Sequence, residues 1–165
     1  MTAPDWLPAD GLLLTPLAVE DADEMLNVLR GDSLYAFTGG TSPTLGELRD
    51  RYQRQVTGQS PDGSEEWRNW IIREPDGTAV GYVQATLTGQ GGRADIAWVV
   101  GLAWQGRGYA AAAARALVAW LQARGVTDIR ASIHPDHRAS EAVARRAGLQ
   151  PTTVLADGER QWRLP

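Results

Sequence analysis

The sequence of 165 residues contains no cysteine and no lysine. Without cysteine, the protein has no disulfide, no zinc–thiolate site and no thiol nucleophile. No apolar run approaches the roughly 20 residues that span a bilayer, and Met1–Asp5 lacks the basic and apolar regions of a signal peptide. We therefore expect a cytoplasmic protein that does not contact a membrane.

Positive charge is also limited. All sixteen basic residues are arginine, and the net charge is −4, whereas a general nucleic-acid binder would present a basic stripe. His134 and His137 are the only histidines, and with no third ligand at a suitable spacing they predict no metal site. The length and the 43% of hydrophobic residues predict a single domain over residues 1–165 with one core.

Apolar periodicity and turn residues predict the element order β-α-α-β-β-β-α-β-α-β-β. The predicted elements are a strand at 12–14 extending to Leu17, a helix with Ala22, Met25, Leu26 and Leu29 on one face, a helix from near Ser42 or Thr44, strands at 67–73, 79–88 and 94–100, a helix at 109–124, a strand at 128–134, a helix at 137–147, and strands at 152–155 and 160–164. A start at Thr44 would form a capping box with Glu47. Consecutive hairpins pair antiparallel, while a strand-helix-strand crossover pairs parallel. The order therefore predicts an α+β fold with a mixed, mostly antiparallel central sheet flanked by helices.

The run from Val100 to Ala110 leaves an apolar strand, passes through a glycine-rich turn and enters an alanine-rich helix. Backbone N–H groups at such a helix N-terminus bind phosphate or pyrophosphate. Gly106 and Gly108 allow the backbone to approach an anion, and Arg107 adds a permanent positive charge. The run is not a nucleotide-triphosphate P-loop, since that motif ends in Gly-Lys-Ser/Thr. Taken alone, it is also compatible with an ordinary strand-to-helix turn.

This loop resembles the Gln/Arg-x-x-Gly-x-Gly/Ala signature of the GNAT acetyltransferases, with Gln105, Gly108 and Ala110 at the matching positions. The predicted element order is similar to the fold of that family over nearly the whole chain. The resemblance implies acetyl-CoA as co-substrate, with its pyrophosphate on the loop, and no metal. It implies that the binding residues are Val99, Val100, Gly101, Gln105, Gly106, Arg107, Gly108, Tyr109, Ala110, His137 and Ser140.

A second segment, Asp136–Leu149, resembles the closing motif of the family, Asn-x-x-Ser/Ala followed by a helix that ends in Gly-Phe. His137 stands where asparagine is usual, and Leu149 stands where phenylalanine is usual. Ser140, together with Ala144 where many members have tyrosine, resembles the Rim-type branch, which acetylates protein N-terminal amines. That resemblance implies that Ser140 hydrogen-bonds the coenzyme A sulfur. The alternative is that the hydroxyl only bonds the backbone of its own helix turn.

An amine must be neutral to attack a thioester, and free ammonium groups with a pKa of about 8–10 are mostly charged at pH 7. Asp95, near the start of the strand before the loop, is the candidate proton acceptor, acting directly or through water. The alternative is a solvated carboxylate at a strand end. The family resemblance implies that a backbone N–H near Val100 stabilises the oxyanion.

These features predict an enzyme that transfers acetyl from acetyl-CoA to a primary amine, either a protein or peptide N-terminus or a small molecule. Direct attack in a ternary complex is expected, because no cysteine is available to form an acyl-enzyme. The alternatives are a non-catalytic domain that senses acyl-CoA and an interaction protein without a nucleotide ligand. Either a monomer or a homodimer is compatible with the sequence.

Overall fold

A single eight-stranded sheet organises the computed structural model, which describes residues 5–165. The strands are β1 Leu7–Ala9, β2 Leu12–Pro16, β3 Glu66–Arg73, β4 Ala79–Thr88, β5 Arg93–Val100, β6 Asp128–Ile133, β7 Gln150–Ala156 and β8 Glu159–Arg163. Their order is β1-β2-β3-β4-β5-β6-β8-β7. Among the described strands only β5 and β6 pair parallel, so the prediction of a mixed, mostly antiparallel sheet is confirmed. Residues 1–4, on which most of the signal-peptide argument depends, lie outside the described range.

Within residues 5–165, four α-helices cover the two faces of the sheet: α1 Asp21–Val28, α2 Leu45–Gln55, α3 Tyr109–Ala123 and α4 Arg138–Arg146. α1 and α2 pack on one face around Met25, Leu48 and Ile71, which are fully buried. α3 and α4 pack on the other face, where Leu117 and Ala144 are fully buried. The expected capping box at the start of α2 is present, with Thr44 and Glu47 bonding each other's backbone N–H groups.

One strand, β1, at the start of the described chain was not predicted from the sequence. β1 and β2 form a hairpin whose turn residues, Asp10 and Gly11, have φ values of 49° and 84°. Positive φ at both central positions is the requirement of a tight type I′ turn, and Asp-Gly is one of its preferred sequences. The turn signal was therefore present in the sequence, but β1 contributes only three residues before the turn.

The parallel pair β5–β6 separates part-way along its length. Pairing covers Arg93↔Asp128, Ala94↔Ile129 and Asp95↔Arg130 and then stops, although β5 continues to Val100. β6 keeps its other edge on β8 from Arg130 to Ile133. A gap therefore opens between the C-terminal halves of β5 and β6, and the loop into α3 begins at its end.

Gly81 allows β4 and β5 to approach closely beside this gap. A Cβ on Gly81 would overlap the Val99 carbonyl oxygen and would lie 2.9 Å from the Val100 Cα. Because these are backbone atoms, they cannot rotate out of the way. The half of β5 that borders the gap therefore requires glycine at this position of β4.

We predict that Gly81→Ala lowers the free energy of unfolding by about 1–3 kcal/mol, the usual range for an overpacked site. Gly46→Ala is the matched control, because Gly46 lies in α2 with open space around a Cβ. That substitution should stabilise the protein by about 0.5 kcal/mol through helix propensity. Urea unfolding of the two variants measures both effects, and equal changes would contradict the argument from close approach.

Candidate active site

The gap between β5 and β6 opens into a cavity of about 580 Å³, within the range typical of small-molecule sites. Its walls come from the end of β5, the loop into α3, the end of β6 and the first turns of α4. Nine of the residues predicted to bind the co-substrate line it: Val99, Val100, Gln105, Gly106, Gly108, Tyr109, Ala110, His137 and Ser140. The fold thus brings together two motifs that are far apart in sequence.

The loop presents backbone N–H groups to the cavity. Gly106 and Gly108 have φ values of 79° and 80°, which place the peptide groups in a conformation that other residues rarely adopt. The first hydrogen bond of α3 is donated by Ala112 to the Gly108 carbonyl at 3.1 Å. Within the described chain, none of the backbone N–H groups from Gly106 to Ala111 donates a hydrogen bond to a protein group. They are a set of unpaired donors at the positive end of a helix, which is suited to an anion.

The backbone at Val100 is also directed toward the cavity. Gly101 N–H donates to the Val80 carbonyl at 2.8 Å. In an antiparallel ladder this makes Gly81↔Val100 the pair without mutual hydrogen bonds, so the Val100 N–H points away from β4 toward the gap. The Val100 carbonyl, on the same side, accepts a 3.0 Å bond from the Gln105 side-chain amide. The Val100 N–H is therefore a donor available to a developing oxyanion.

Two predicted binding residues, Gly101 and Arg107, do not line the cavity. A Cβ on Gly101 would meet the Val28 carbonyl oxygen at 2.8 Å and the Trp104 ring at 2.9 Å, so this glycine supports packing beneath the loop. The Arg107 guanidinium is half exposed and lies 3.9 Å from the Glu74 carboxylate. Glu74 accepts a 2.6 Å bond from the Tyr109 hydroxyl, which fixes Tyr109 at the start of α3.

His137 caps α4 and contacts Ser140 through both ring nitrogens. Its Nδ1 accepts from the Ser140 backbone N–H at 3.4 Å, and its Nε2 lies 3.1 Å from the Ser140 hydroxyl. An Nδ1 that accepts leaves the proton of the neutral ring on Nε2, so Nε2–H donates to Oγ. The hydroxyl proton of Ser140 therefore remains available to donate to another group in the cavity.

The environment favours the neutral form of His137. Burial lowers its pKa below the usual 6.5, and the neighbouring His134 lowers this pKa further. Phe37 stacks on the imidazole at a centroid distance of 4.6 Å. The cap bond requires this neutral ring, because Nδ1 can accept from the Ser140 N–H only when it carries no proton.

Asp95, the predicted proton acceptor, is not brought to the cavity. Its two carboxylate oxygens accept bonds from the Arg93 guanidinium at 3.1 and 3.2 Å, and the side chain is 40% exposed. At about 3.3 Å per residue, Asp95 lies about 16 Å along β5 from Val100. This position corresponds to the alternative interpretation, a carboxylate at the strand end.

Glu159 was missed by the sequence analysis, and it is the only carboxylate residue among those that the structure places around the cavity. It begins β8 directly after the Asp157–Gly158 turn. β8 pairs with β6 in the register Ile133↔Arg160, which sets Glu159 beside His134 at the end of β6. Local sequence offers no signal for this contact, because it depends on β8 lying between β6 and β7.

A match to a protein-family model shows the family to which the chain belongs. The model described as "Acetyltransferase (GNAT) domain" matches residues 11–150. The chain belongs to the GNAT acetyltransferase family. Among the curated proteins compared, none matches this GNAT chain.

Solved structures agree with this GNAT fold. A GNAT-family acetyltransferase from Bacillus anthracis superposes with a TM-score of 0.79 at 15% identity, covering 97% of this chain and 98% of that one. RimL, a ribosomal L7/L12 alpha-N-protein acetyltransferase in complex with coenzyme A, gives 0.79 at 18% identity, covering 96% of each chain. AAC(6′)-Ib in complex with paromomycin and acetyl-CoA gives 0.76 at 20% identity, covering 93% and 92%. At these identities the similarity establishes the fold alone.

Within residues 5–165, no three His, Asp or Glu side chains cluster in a way that could hold a metal ion. None of the helices in that range is long and apolar enough to cross a bilayer.

The cap of α4 predicts a specific pH dependence of stability. Because the pKa of His137 is lowered in the folded state, the unfolded chain takes up this proton first, and stability falls as the pH decreases below 6.5. In His137→Asn, which retains a good capping residue without a titrating group, the loss between about pH 7.5 and 5.5 should be smaller. Denaturant unfolding at the two pH values measures it.

His134→Asn is the control for this prediction, since His134 is the only other histidine of the chain. It should keep most of the pH dependence of the wild-type protein. A pH dependence that His137→Asn leaves intact would show that another group is responsible.

Proposed function

We propose that this protein is an acetyl-CoA-dependent N-acetyltransferase that transfers the acetyl group to a primary amine by direct attack in a ternary complex. The observation that carries the proposal is the gap between β5 and β6, which leads to the donor set from Gly106 to Ala111. An extended ligand with a pyrophosphate fits this combination, because its anionic part meets the amides while its arm lies along the strand edge.

Acetyl-CoA would supply an activated acetyl thioester at this site. The N–H groups from Gly106 to Ala111 would hold the pyrophosphate, and Arg107 can turn toward it from its long contact with Glu74. The Val100 N–H would stabilise negative charge on the acetyl carbonyl oxygen as the amine attacks. The Ser140 hydroxyl, oriented by His137, would donate to the sulfur as it becomes a thiolate.

In this proposal Glu159 is the proton acceptor for the amine, the role that the sequence suggested for Asp95. A proton acceptor must reach the amine directly or through one water, and Glu159 borders the cavity whereas Asp95 is bound to Arg93. The sequence has no cysteine, so a thiol cannot accept the acetyl group first. Direct transfer from donor to amine follows.

The acceptor in this proposal is a primary amine, either an N-terminal α-amine or a small molecule. Ser140 and Ala144 support the Rim-type resemblance, and both lie in α4, the former at the cavity. Similarity in fold extends to proteins with different ligands, RimL and AAC(6′)-Ib. The choice among acceptors therefore depends on the pocket that receives the amine.

We predict that Glu159→Gln lowers kcat/KM for amine acetylation by about 10²- to 10⁴-fold, the usual contribution of a general base. Asp95→Asn, a matched removal of one carboxylate charge, should leave kcat/KM near the wild-type value. Release of free coenzyme A thiol on a panel of amines measures both variants. If Asp95→Asn lowered kcat/KM more than Glu159→Gln does, Asp95 would instead be the proton acceptor.

The same assay separates catalysis from sensing. Tight binding of acetyl-CoA with no thiol release for any amine would support the alternative of an acyl-CoA sensor and overturn the proposed activity.

We also predict that Gly108→Glu weakens coenzyme A binding by roughly 10- to 100-fold, since a carboxylate enters the anion site and positive φ strains the new residue. Gly125→Glu is the matched control: both glycines flank α3 with φ values of 80° and 84° and have open space around a Cβ. Isothermal calorimetry should find a defect only at Gly108. Equal weakening in both variants would indicate a general loss of stability.

A further inference from the structure

A second, smaller cavity of about 250 Å³ lies beside the first, between α2 and the sheet. We call it the side chamber. Leu29, Arg51 and Tyr82 border both spaces, so the chamber adjoins the cavity between β5 and β6. Its position on the α1–α2 face separates it from the loop that would hold the pyrophosphate.

The floor of the side chamber is polar although it forms part of a sheet face that is otherwise covered. β3 and β4 pair in the register Asn69↔Gln84, which puts two amide side chains next to each other. Tyr82 is the next chamber residue along β4. In the described part of the chain, none of these three side chains hydrogen-bonds to a protein group. Their donors and acceptors are therefore available to a ligand.

Tyr52 of α2 provides the second, independent observation. This residue is only 4% exposed, and its hydroxyl has no hydrogen-bond partner in the range that the structure describes. Buried hydroxyls are nearly always bonded, because leaving one unbonded costs free energy. Burial also raises the pKa of Tyr52, so the hydroxyl keeps its proton and can donate. Tyr52 lines the side chamber, where a ligand would satisfy it.

Arg51 gives the side chamber its charge. It lies at the wall shared with the main cavity, and no carboxylate of the described residues pairs with it. Among the residues from 5 onward that the structure describes, no aspartate or glutamate lines the chamber. A permanently charged guanidinium with neutral hydroxyl and amide donors around it favours an anionic group and disfavours a polyamine.

We propose that the side chamber binds the carboxylate of the acceptor, so that the substrate class is a small molecule carrying a primary amine and a carboxylate, as a free amino acid does. This inference rests on the proposed acetyltransferase function. The volume of about 250 Å³ lies below that of drug-sized sites and suits a molecule of amino-acid size.

The register of the sheet connects the side chamber to the reacting group. Tyr82, at the shared wall, pairs with Val99 on β5, the neighbour of Val100. A carboxylate held at Arg51 therefore leaves the other end of the molecule beside the segment that offers the oxyanion donor. Amine and thioester would meet there from opposite sides.

The first test compares free amino acids with their carboxamides as acceptors in the thiol-release assay. We expect kcat/KM to be at least tenfold higher for the acids, through KM, because the amides lack the charge that Arg51 would bind. Arg51→Gln should reduce this preference to near unity, and Arg51→Lys should keep part of it. Arg49→Gln is the matched control on α2, since Arg49 pairs with the exposed Asp23 instead.

The second test measures binding without turnover. Calorimetric titration of the amino-acid panel into the protein with coenzyme A should show binding that Tyr52→Phe weakens and Arg51→Gln removes. The carboxamides should bind at least tenfold more weakly to the wild-type protein.

The outcomes separate this inference from the proposed function. If carboxamides or C-terminally amidated peptides are acetylated as well as free amino acids, or if Arg51→Gln leaves the preference intact, the inference is overturned while acetyl transfer stands. If no amine releases thiol, the proposed function fails and calorimetry alone decides. Binding that depends on Arg51 would then still support the side chamber as a carboxylate site, and absence of binding would overturn it.

Discussion

The end of β5–β6 pairing at Asp95↔Arg130 is the constraint on which the site depends. Unpaired backbone groups inside a protein are costly unless another partner satisfies them. β6 keeps its second edge on β8, so the exposed edge belongs mainly to β5. The same separation creates the cavity, frees the Val100 N–H and places the start of α3 at the end of the gap. One interruption of a ladder thus prepares the sites for the phosphates and for the reacting carbonyl.

β5 also separates the two substrates. Successive residues of a strand point to opposite faces, so Val99 packs with the α1–α2 cluster while Val100 belongs to the α3–α4 core. The anion-binding loop and α4 lie on one side of this strand, and the side chamber lies on the other. In the proposed reaction the donor and the acceptor therefore approach a single strand from different faces.

Local signals explain why the elements were predictable. The capping box at Thr44 and Glu47, the hairpin turns and the glycines after α3 and α4 each act within a few residues, and the structure contains them. The cofactor loop was recognisable for the same reason. Arg93 and Asp95 lie two residues apart on the same face of β5, so their ion pair was also predictable from the sequence. Glu159 and the side chamber depend on strand order and on where α2 crosses the sheet, which no local pattern specifies.

The substitution of histidine at the usual asparagine position changes how α4 begins. An asparagine cap can satisfy the backbone N–H of Ser140, but an imidazole can also reach the Ser140 hydroxyl with its second nitrogen. The cap bond determines which nitrogen carries the proton, and that proton determines which way the hydroxyl donates. His137 thus both caps α4 and orients the Ser140 hydroxyl, the group proposed to lie near the sulfur. Protonation of His137 would remove the cap bond, because a protonated Nδ1 cannot accept, so the stacking of Phe37 on the ring bears on the chemistry as well as on the packing.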